Sequence, residues 1–425
     1  MPVTEVSHLE QRISYADWLQ ADDLVLFGQG SSEPVGLVRE LVNQADDWHE
    51  RIGRLGLFMA GSYSGLLRPE HGKWFDFHSY GAFGDATAIS RAGLLNVHPV
   101  TYSQLPALLT KKLKADVVLL QLSPPDARNR YSLGVANDYQ LAAAREARVV
   151  IAEINQQAPY SPSALLPLDL RIDHMVWADE PLVEIPSSSV DEVSVRIASH
   201  VAQLIPDGGT IQMGMGSLMT AICDALSGHK DLGIHSGILN DGMAELIRRG
   251  VVTNARKGTH VGRSVVGSLL GTRRLFEFAD NNRDICLVET SVTHGRDWLS
   301  RQTRLCAINS AIEIDLTGQV NAEVANGRYV GAIGGQPDFI RAAGECDDGV
   351  SIIALPSSAA GGRFSRIVDR LNGPVTTPRC DVDCVVTEWG VARLRGLALR
   401  QRAVAMAGIA HPKHRDSLLA AATRL

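Results

Sequence analysis

The apolar and polar positions fall into a repeating rhythm of short strand, tight turn and helix. The rhythm is fullest between Asp207 and Gly242. There the chain reads Asp-Gly-Gly-Thr-Ile-Gln-Met-Gly-Met-Gly-Ser-Leu-Met-Thr-Ala-Ile, and then Leu-Gly-Ile-His-Ser-Gly-Ile-Leu-Asn-Asp-Gly. Thr210–Met213 alternates as a strand does, while Leu218, Met219, Ile222 and Leu226 keep the spacing of an amphipathic helix. Gly214 and Gly216 between them let the backbone turn tightly. The pattern predicts strand, turn, helix, second strand and second turn, with both turns on the edge of one parallel sheet. A helix start preceded by glycines offers free N–H groups and a favourable dipole to phosphate or carboxylate. The same two glycines also suit plain close packing of strand against helix, and the residues alone leave both readings open.

The same pattern occurs earlier. Leu24–Phe27 is a continuous apolar run, Gly28 and Gly30 make a turn, and Pro34 suits the first turn of a helix carrying Val38, Leu41 and Val42. Asp22 precedes Gly28-x-Gly30 much as Asp207 precedes Gly214-x-Gly216, which predicts two related α/β halves. Residues 1–21 read as a lead-in helix around Leu9, Ile13 and Trp18. Further strands are expected at Leu55–Met59, Asp116–Gln121 and Val149–Ile154, with helices at Tyr102–Leu113 and Tyr139–Ala147. Alternating strand and helix implies a mostly parallel sheet covered on both faces. Glu184–Val190 is the most linker-like segment, so the domains are expected at 1–186 and 187–425.

The second half continues with a helix carrying Met243, Leu246 and Ile247, stopped by Gly250, with Asp241 and Gly242 at its cap. Asn254-Ala-Arg-Lys-Gly-Thr-His-Val-Gly-Arg is a dense basic loop, either solvated or in contact with a ligand phosphate through Lys257. Ile308–Val320 reads as a strand pair around a turn. Val330–Phe339 is a second glycine-rich turn, in which Gly331, Gly334 and Gly335 would let the backbone lie against an extended ligand. Strands at Ser351–Leu355 and Asp383–Thr387 and a helical segment over residues 397–425 complete the order.

Composition narrows the class. A chain of 425 residues exceeds one ordinary core, and 45% hydrophobic residues can fill two or three. No apolar run reaches the ~20 residues of a membrane helix, and the N-terminus lacks a charged-then-apolar signal, so a cytoplasmic protein is expected. A net charge of −6 argues against a general nucleic-acid binder. The six cysteines are scattered without a Cys-x-x-Cys pair, so neither a metal site nor a disulfide framework is expected.

Eight segments in order now carry a family resemblance: Ser123-Pro-Pro-Asp, Ala152-Glu-Ile-Asn, Leu232-Gly-Ile-His-Ser, Asn309-Ser-Ala-Ile-Glu-Ile-Asp-Leu-Thr-Gly-Gln-Val, Gly334-Gly-Gln-Pro-Asp-Phe, Pro356-Ser-Ser-Ala, Val386-Thr-Glu-Trp-Gly-Val-Ala and Ile409-Ala-His-Pro. The chain resembles the acetyl-CoA hydrolase/transferase family, class I CoA-transferases that include 4-hydroxybutyrate and butyryl-CoA:acetate transferases. The resemblance implies two CoA-transferase α/β halves with the active site between them. It also implies coenzyme A or acyl-CoA as substrate with no tightly bound cofactor, a small carboxylate acceptor (acetate, butyrate, 4-hydroxybutyrate or a dicarboxylate such as itaconate), and a homo-oligomer.

In that family a glutamate follows the Ile-His-Ser/Thr strand and forms an anhydride and then a glutamyl-CoA thioester, covalent catalysis that splits one hard step into easier ones. Here the position is Gly237. Three readings follow: a transferase whose acceptor carboxylate attacks directly or that borrows Glu33 or Asp241, an acyl-CoA hydrolase or decarboxylase on the same scaffold, or a CoA-binding protein without activity. His235 is either a base or a hydrogen-bonded structural residue. Glu33 either faces the active site or sits at a helix N-terminus. Glu388 and Trp389 sit at a strand end, where an anchoring role is expected. Gly214, Gly216, Lys257, Gly331, Gly334, Gly335 and Gln336 are the expected CoA contacts, the glycine-turn N–H groups suiting a thioester oxyanion. Gly30, Ser31, Ser32 and Gly61 suggest a roomy acyl pocket. A dinucleotide-binding oxidoreductase is the rival reading of Gly28-x-Gly30, but Glu33 stands where its third glycine belongs.

Overall fold

A computed structural model describes residues 13–187 and 189–424. The chain divides into two compact units. One runs through Pro186 and takes in Gly267–Thr290; the other comprises Ser187–Val266 and the chain from Ser291 onward. The segment Gly267–Thr290, counted with the second half on sequence alone, thus belongs to the first unit. It is tied there by Asn137 N donating to Gly267 O at 2.8 Å and Leu269 N to Val135 O at 2.7 Å.

The first unit is built on seven strands: β1 (Leu24–Phe27), β2 (Leu55–Phe58), β3 (Phe75–Ser79), β4 (Leu95–Val97), β5 (Val117–Leu122), β6 (Val149–Asn155) and β7 (His174–Ala178). Their order is β4-β3-β2-β1-β5-β6-β7, and every pairing is parallel. Leu-Val-Leu-Phe in β1 is buried throughout because a parallel strand is covered on both faces. The core gathers Leu37, Leu41, Trp48, Phe75 and Phe77. The connections leave β1 in one direction and resume at β5 on its other side, so the carboxyl end of β1 is a topological switch point.

The second unit repeats the plan with β8 (Thr210–Met213), β9 (Gly233–Ile234), β10 (Leu305–Asn309), β11 (Val350–Ala354), β12 (Cys384–Thr387) and β13 (Gly390–Arg393). The order is β13-β12-β11-β10-β8-β9, parallel except for the β12–β13 hairpin. The switch point therefore lies at the end of β8, the position β1 holds in the first unit. Phe339, Leu305, Ile353 and Met406 are among its core residues.

Several expectations are corrected in detail. Of the lead-in helix, residues 1–12 lie outside the described residues, and Tyr15–Asp17 forms only a 3-10 turn. The helix at Tyr102–Leu113 is a composite of 3-10, α and π turns, with Pro106 early in it. Ile308 belongs to the central strand β10, while the expected pair forms further on, Glu313–Asp315 against Val320–Asn321. Among the described residues no helix is long and apolar enough to cross a membrane, and no group of His, Cys, Asp or Glu is arranged to hold a metal ion. All six cysteines are free thiols.

Candidate active site

At the carboxyl end of β8 the chain turns through Gly214-Met215-Gly216 into the helix Ser217–Ala225. Gly216 holds φ 110°, a conformation that favours glycine, and a Cβ added to Gly214 or Gly216 would meet no described atom within 4 Å. The turn is thus open around both glycines. Asn240 fixes it from below, its Nδ2 donating to Gly214 O at 3.0 Å. The same Asn240 caps the helix Asp241–Arg248 by accepting from Met243 N at 2.9 Å, so the cap is Asn240 and Asp241 is the first helical residue.

Strand β9 delivers His235, Ser236 and Gly237. The His235 ring is fully buried and donates Nε2–H to Thr293 O at 3.1 Å. Burial first, and then the neighbouring Lys257 charge, pushes its pKa down to about 3. It is therefore neutral at ordinary pH, and a base role gains nothing from this setting. Lys257 is only 5% exposed, and its Nζ donates to Ile234 O at 2.6 Å and Arg263 O at 2.7 Å. The phosphate contact expected of Lys257 is replaced by backbone hydrogen bonds, and the exposed cations of this loop are Arg256 and Arg263.

The glycine turn at 331–336 also separates into parts. Gly331 is needed for a close backbone approach, since a Cβ there would lie 2.0 Å from Ala322 O. Gln336 spends its side chain on structure, donating to Ser310 O at 2.8 Å and accepting from Thr377 Oγ1 at 3.0 Å. Gly334 stands open, with no described atom within 4 Å of an added Cβ. Gly335, directly before the helix Gln336–Glu345, faces a residue the sequence reading passed over, His294.

His294 joins the two predicted regions. A Cβ on Gly237 would lie 2.9 Å from its Cε1 and 3.0 Å from its Nε2, and a Cβ on Gly335 would lie 2.5 Å from the same Nε2. The imidazole is seated between two α-carbons that have no side chains. Its Nδ1 meets Thr293 Oγ1 at 2.8 Å, and its ring packs edge-on against Phe339 with centroids 4.7 Å apart. Burial holds its pKa down to about 3, so it too is neutral. The clue in the sequence is indirect: glycine at 237 and 335 leaves volume that a close-packed interior fills, and a ring must come from elsewhere in the chain.

The remaining candidates have surroundings of their own. Glu33 is fully buried within the first unit, accepting from Ser64 Oγ at 2.5 Å, Tyr63 N at 3.2 Å and Ser62 Oγ at 3.2 Å. Burial is the main reason its pKa is pushed up to about 7. Its carboxyl turns to the 62–64 loop, so neither the helix-dipole role nor an exposed nucleophile describes it. The roominess inferred from Gly30 and Gly61 is also corrected: a Cβ on Gly30 would lie 2.5 Å from Leu270 Cδ2, and one on Gly61 3.1 Å from Phe83 Cδ2. Glu388 accepts from Ser357 N and Oγ at 2.8 and 2.6 Å, and Trp389 Nε1 donates to the same hydroxyl at 3.1 Å.

Known proteins decide the family. A family profile, the acetyl-CoA hydrolase/transferase C-terminal domain, matches residues 271–422. The 4-hydroxybutyrate coenzyme A transferase of Clostridium kluyveri is 37% identical over 399 residues, 93% of this chain and 92% of the relative. The chain belongs to the acetyl-CoA hydrolase/transferase family. A succinyl-CoA:cyclohexane-1-carboxylate CoA transferase of Geobacter metallireducens is 35% identical over 77% of this chain and 75% of its own length. The crystal structure of RipA from Yersinia pestis superposes with a TM-score of 0.91 at 34% identity, covering 96% of this chain and 95% of that one. In this acetyl-CoA hydrolase/transferase family enzyme, the open turn at Gly214–Gly216 and the Gly237–His294–Gly335 cluster lie in the same unit, and CoA thioesters are the substrates of its relatives.

Proposed function

We propose that the enzyme moves CoA from a short-chain acyl-CoA to a small carboxylate by direct attack of the acceptor, without a glutamyl-CoA thioester at position 237. The observation that carries this reading is Gly237 itself: it has no side chain to react, and the His294 ring lies against its α-carbon. Support for transfer comes from the names of the relatives, two of which are CoA-transferases acting with carboxylates. The open glycines 214 and 216 at the switch point of the second sheet suit the CoA chain. Hydrolysis is the second reading: with no side-chain nucleophile at 237, water can attack the thioester as a carboxylate can, and an acetyl-CoA hydrolase is among the relatives.

The test is incubation with butyryl-CoA followed by hydroxylamine or borohydride, with mass spectrometry of the protein and initial-rate kinetics against acetate. The expected result is no modified glutamate and a ternary-complex rate law. CoA found on Glu33 or another glutamate, with ping-pong kinetics, would sink direct attack. Release of free acid at full rate without an acceptor would make the enzyme a hydrolase.

A further inference from the structure

Resting on the reading that the enzyme acts on an acyl-CoA whose thioester lies beside Gly237, we propose that Arg366 binds the phosphate end of that CoA, with Phe364 next to it for the adenine. The hairpin Ser358–Ala359/Phe364–Ser365 pairs Ser358 with Ser365. Arg366 is next in that register and its N donates to Ser357 O at 2.9 Å, so Arg366 and Ser357 stand opposite each other with their side chains on one face. Ser357 fixes what else belongs to that face. Its Oγ donates to Glu388 at 2.6 Å and accepts from Trp389 Nε1 at 3.1 Å, while its N donates to the other Glu388 oxygen at 2.8 Å. Both Glu388 oxygens are thus engaged. The Arg366 guanidinium, half-buried, makes no hydrogen bond or ion pair with any described residue. Burial draws its pKa down, against the pull of the Glu388 charge. A second guanidinium, that of Arg415, lies over the Trp389 ring at 5.4 Å, so this corner is short of negative charge. A forked donor that has given up water without gaining a partner is matched by a phosphate.

Distance decides which anion it is. Gly237 follows β9, whereas Ser357 and Glu388 follow β11 and β12, in a sheet ordered β12-β11-β10-β8-β9. Three to four strand spacings separate the two places along the carboxyl edge, about 14 to 19 Å. An acceptor carboxylate must touch the thioester carbon, so it cannot also reach Arg366. The phosphates of CoA can: about thirteen bonds run from its sulfur to the first phosphorus, and at the roughly 3.5 Å per three bonds of an extended chain they span about 15 Å. The open turn at Gly214 and Gly216, after β8, lies on the way. Phe364 is a reason to choose a nucleotide over free phosphate. It is two residues from Arg366 and so on the same face of the strand, and this large apolar ring is 60% exposed. An aromatic face beside a phosphate donor is what a base with its phosphates requires.

The experiment measures kcat/KM of wild type, Arg366→Gln, Arg366→Lys and Phe364→Ala with butyryl-CoA, butyryl-dephospho-CoA and butyryl-pantetheine, acetate being the acceptor, alongside melting temperatures. Wild type should prefer butyryl-CoA to butyryl-pantetheine, and Arg366→Gln should cut that preference about 10- to 100-fold, the worth of a charge-assisted hydrogen bond. Arg366→Lys keeps the charge without the fork and should fall between the two. Phe364→Ala should cut the preference about fivefold or more through lost stacking, and as an exposed position it carries the test should Arg366→Gln fail to fold. A loss as large with butyryl-dephospho-CoA as with butyryl-CoA would assign the contact to the diphosphate, and a smaller one to the 3′-phosphate; either supports the proposal. An unchanged preference in Arg366→Gln or Phe364→Ala, or equal losses with butyryl-CoA and butyryl-pantetheine, would overturn it. Wild type that turns over no acyl-CoA at all would overturn the functional reading and this inference together, whereas active wild type with the full preference kept in Arg366→Gln overturns the inference alone.

Discussion

The turns after β1 and β8 occupy the same place in two sheets wound alike, yet one is filled and the other is open. A Cβ on Gly28 would lie 2.3 Å from Ser32 O and 2.7 Å from Gln140 Oε1, and one on Gly30 would run into Leu270. Around Gly214 and Gly216 an added Cβ meets no described atom within 4 Å. A strand-glycine-helix turn at a switch point is therefore only a position for a ligand. Whether it holds one depends on what else the chain packs into the crevice, and in the first unit Leu270, Gln140 and Ser32 have taken the room.

The sharpest way to break that comparison is to add the same methyl to both turns. Gly28→Ala sets a side chain against a backbone carbonyl that cannot withdraw, and urea unfolding should show a loss of ~3 kcal/mol or more. A loss under ~1 kcal/mol would mean the first turn is as open as the second. The next effect concerns Glu33. A carboxyl whose pKa rises from 4.5 in the unfolded chain to about 7 in the folded one favours the folded state below pH 4.5. That contribution is lost progressively as pH rises to about 7, because the unfolded chain ionises first. The loss amounts to roughly 3 kcal/mol. Glu33→Gln should remove that part of the pH dependence of the denaturation midpoint, and parallel curves for the two proteins would show Glu33 to be more hydrated than its enclosure implies. The smallest effect on stability belongs to Gly214→Ala, within ~0.5 kcal/mol. Its signature should instead be a several-fold rise in KM for acyl-CoA; no change in KM would leave the open turn without a ligand.

Much of the fold is legible in the chain because local signals agree. Leu24–Phe27 and Thr210–Met213 are each followed by a glycine turn and then by helical spacing, and each forms a strand where expected. The site is less legible. Gly331, which makes room for Ala322 O, and Gly334, which stands open, look alike in one dimension. Lys257 sits in a basic loop, but only the fold shows its ammonium turned inward to two carbonyls. His294 carries no motif of its own; its meaning comes from two glycines distant in sequence that meet around its ring. The resemblance supplied the importance of position 237, and the packing supplied its partner.

The return of Gly267–Thr290 to the first unit also sets an order of events during synthesis. By the time Pro186 is made, the first sheet has all seven of its strands but still lacks Leu270 against Gly30 and the backbone bonds from Gly267 and Leu269. Those arrive only after Ser187–Val266 has been made, with β8, β9 and the open turn already emerging from the ribosome. Cutting the gene at the apparent linker would therefore give two fragments that each end in the wrong place: a first half missing its last piece and a second half carrying it with nothing to cover. A first unit meant to fold alone would need residues 267–290 joined back to it through a new connection.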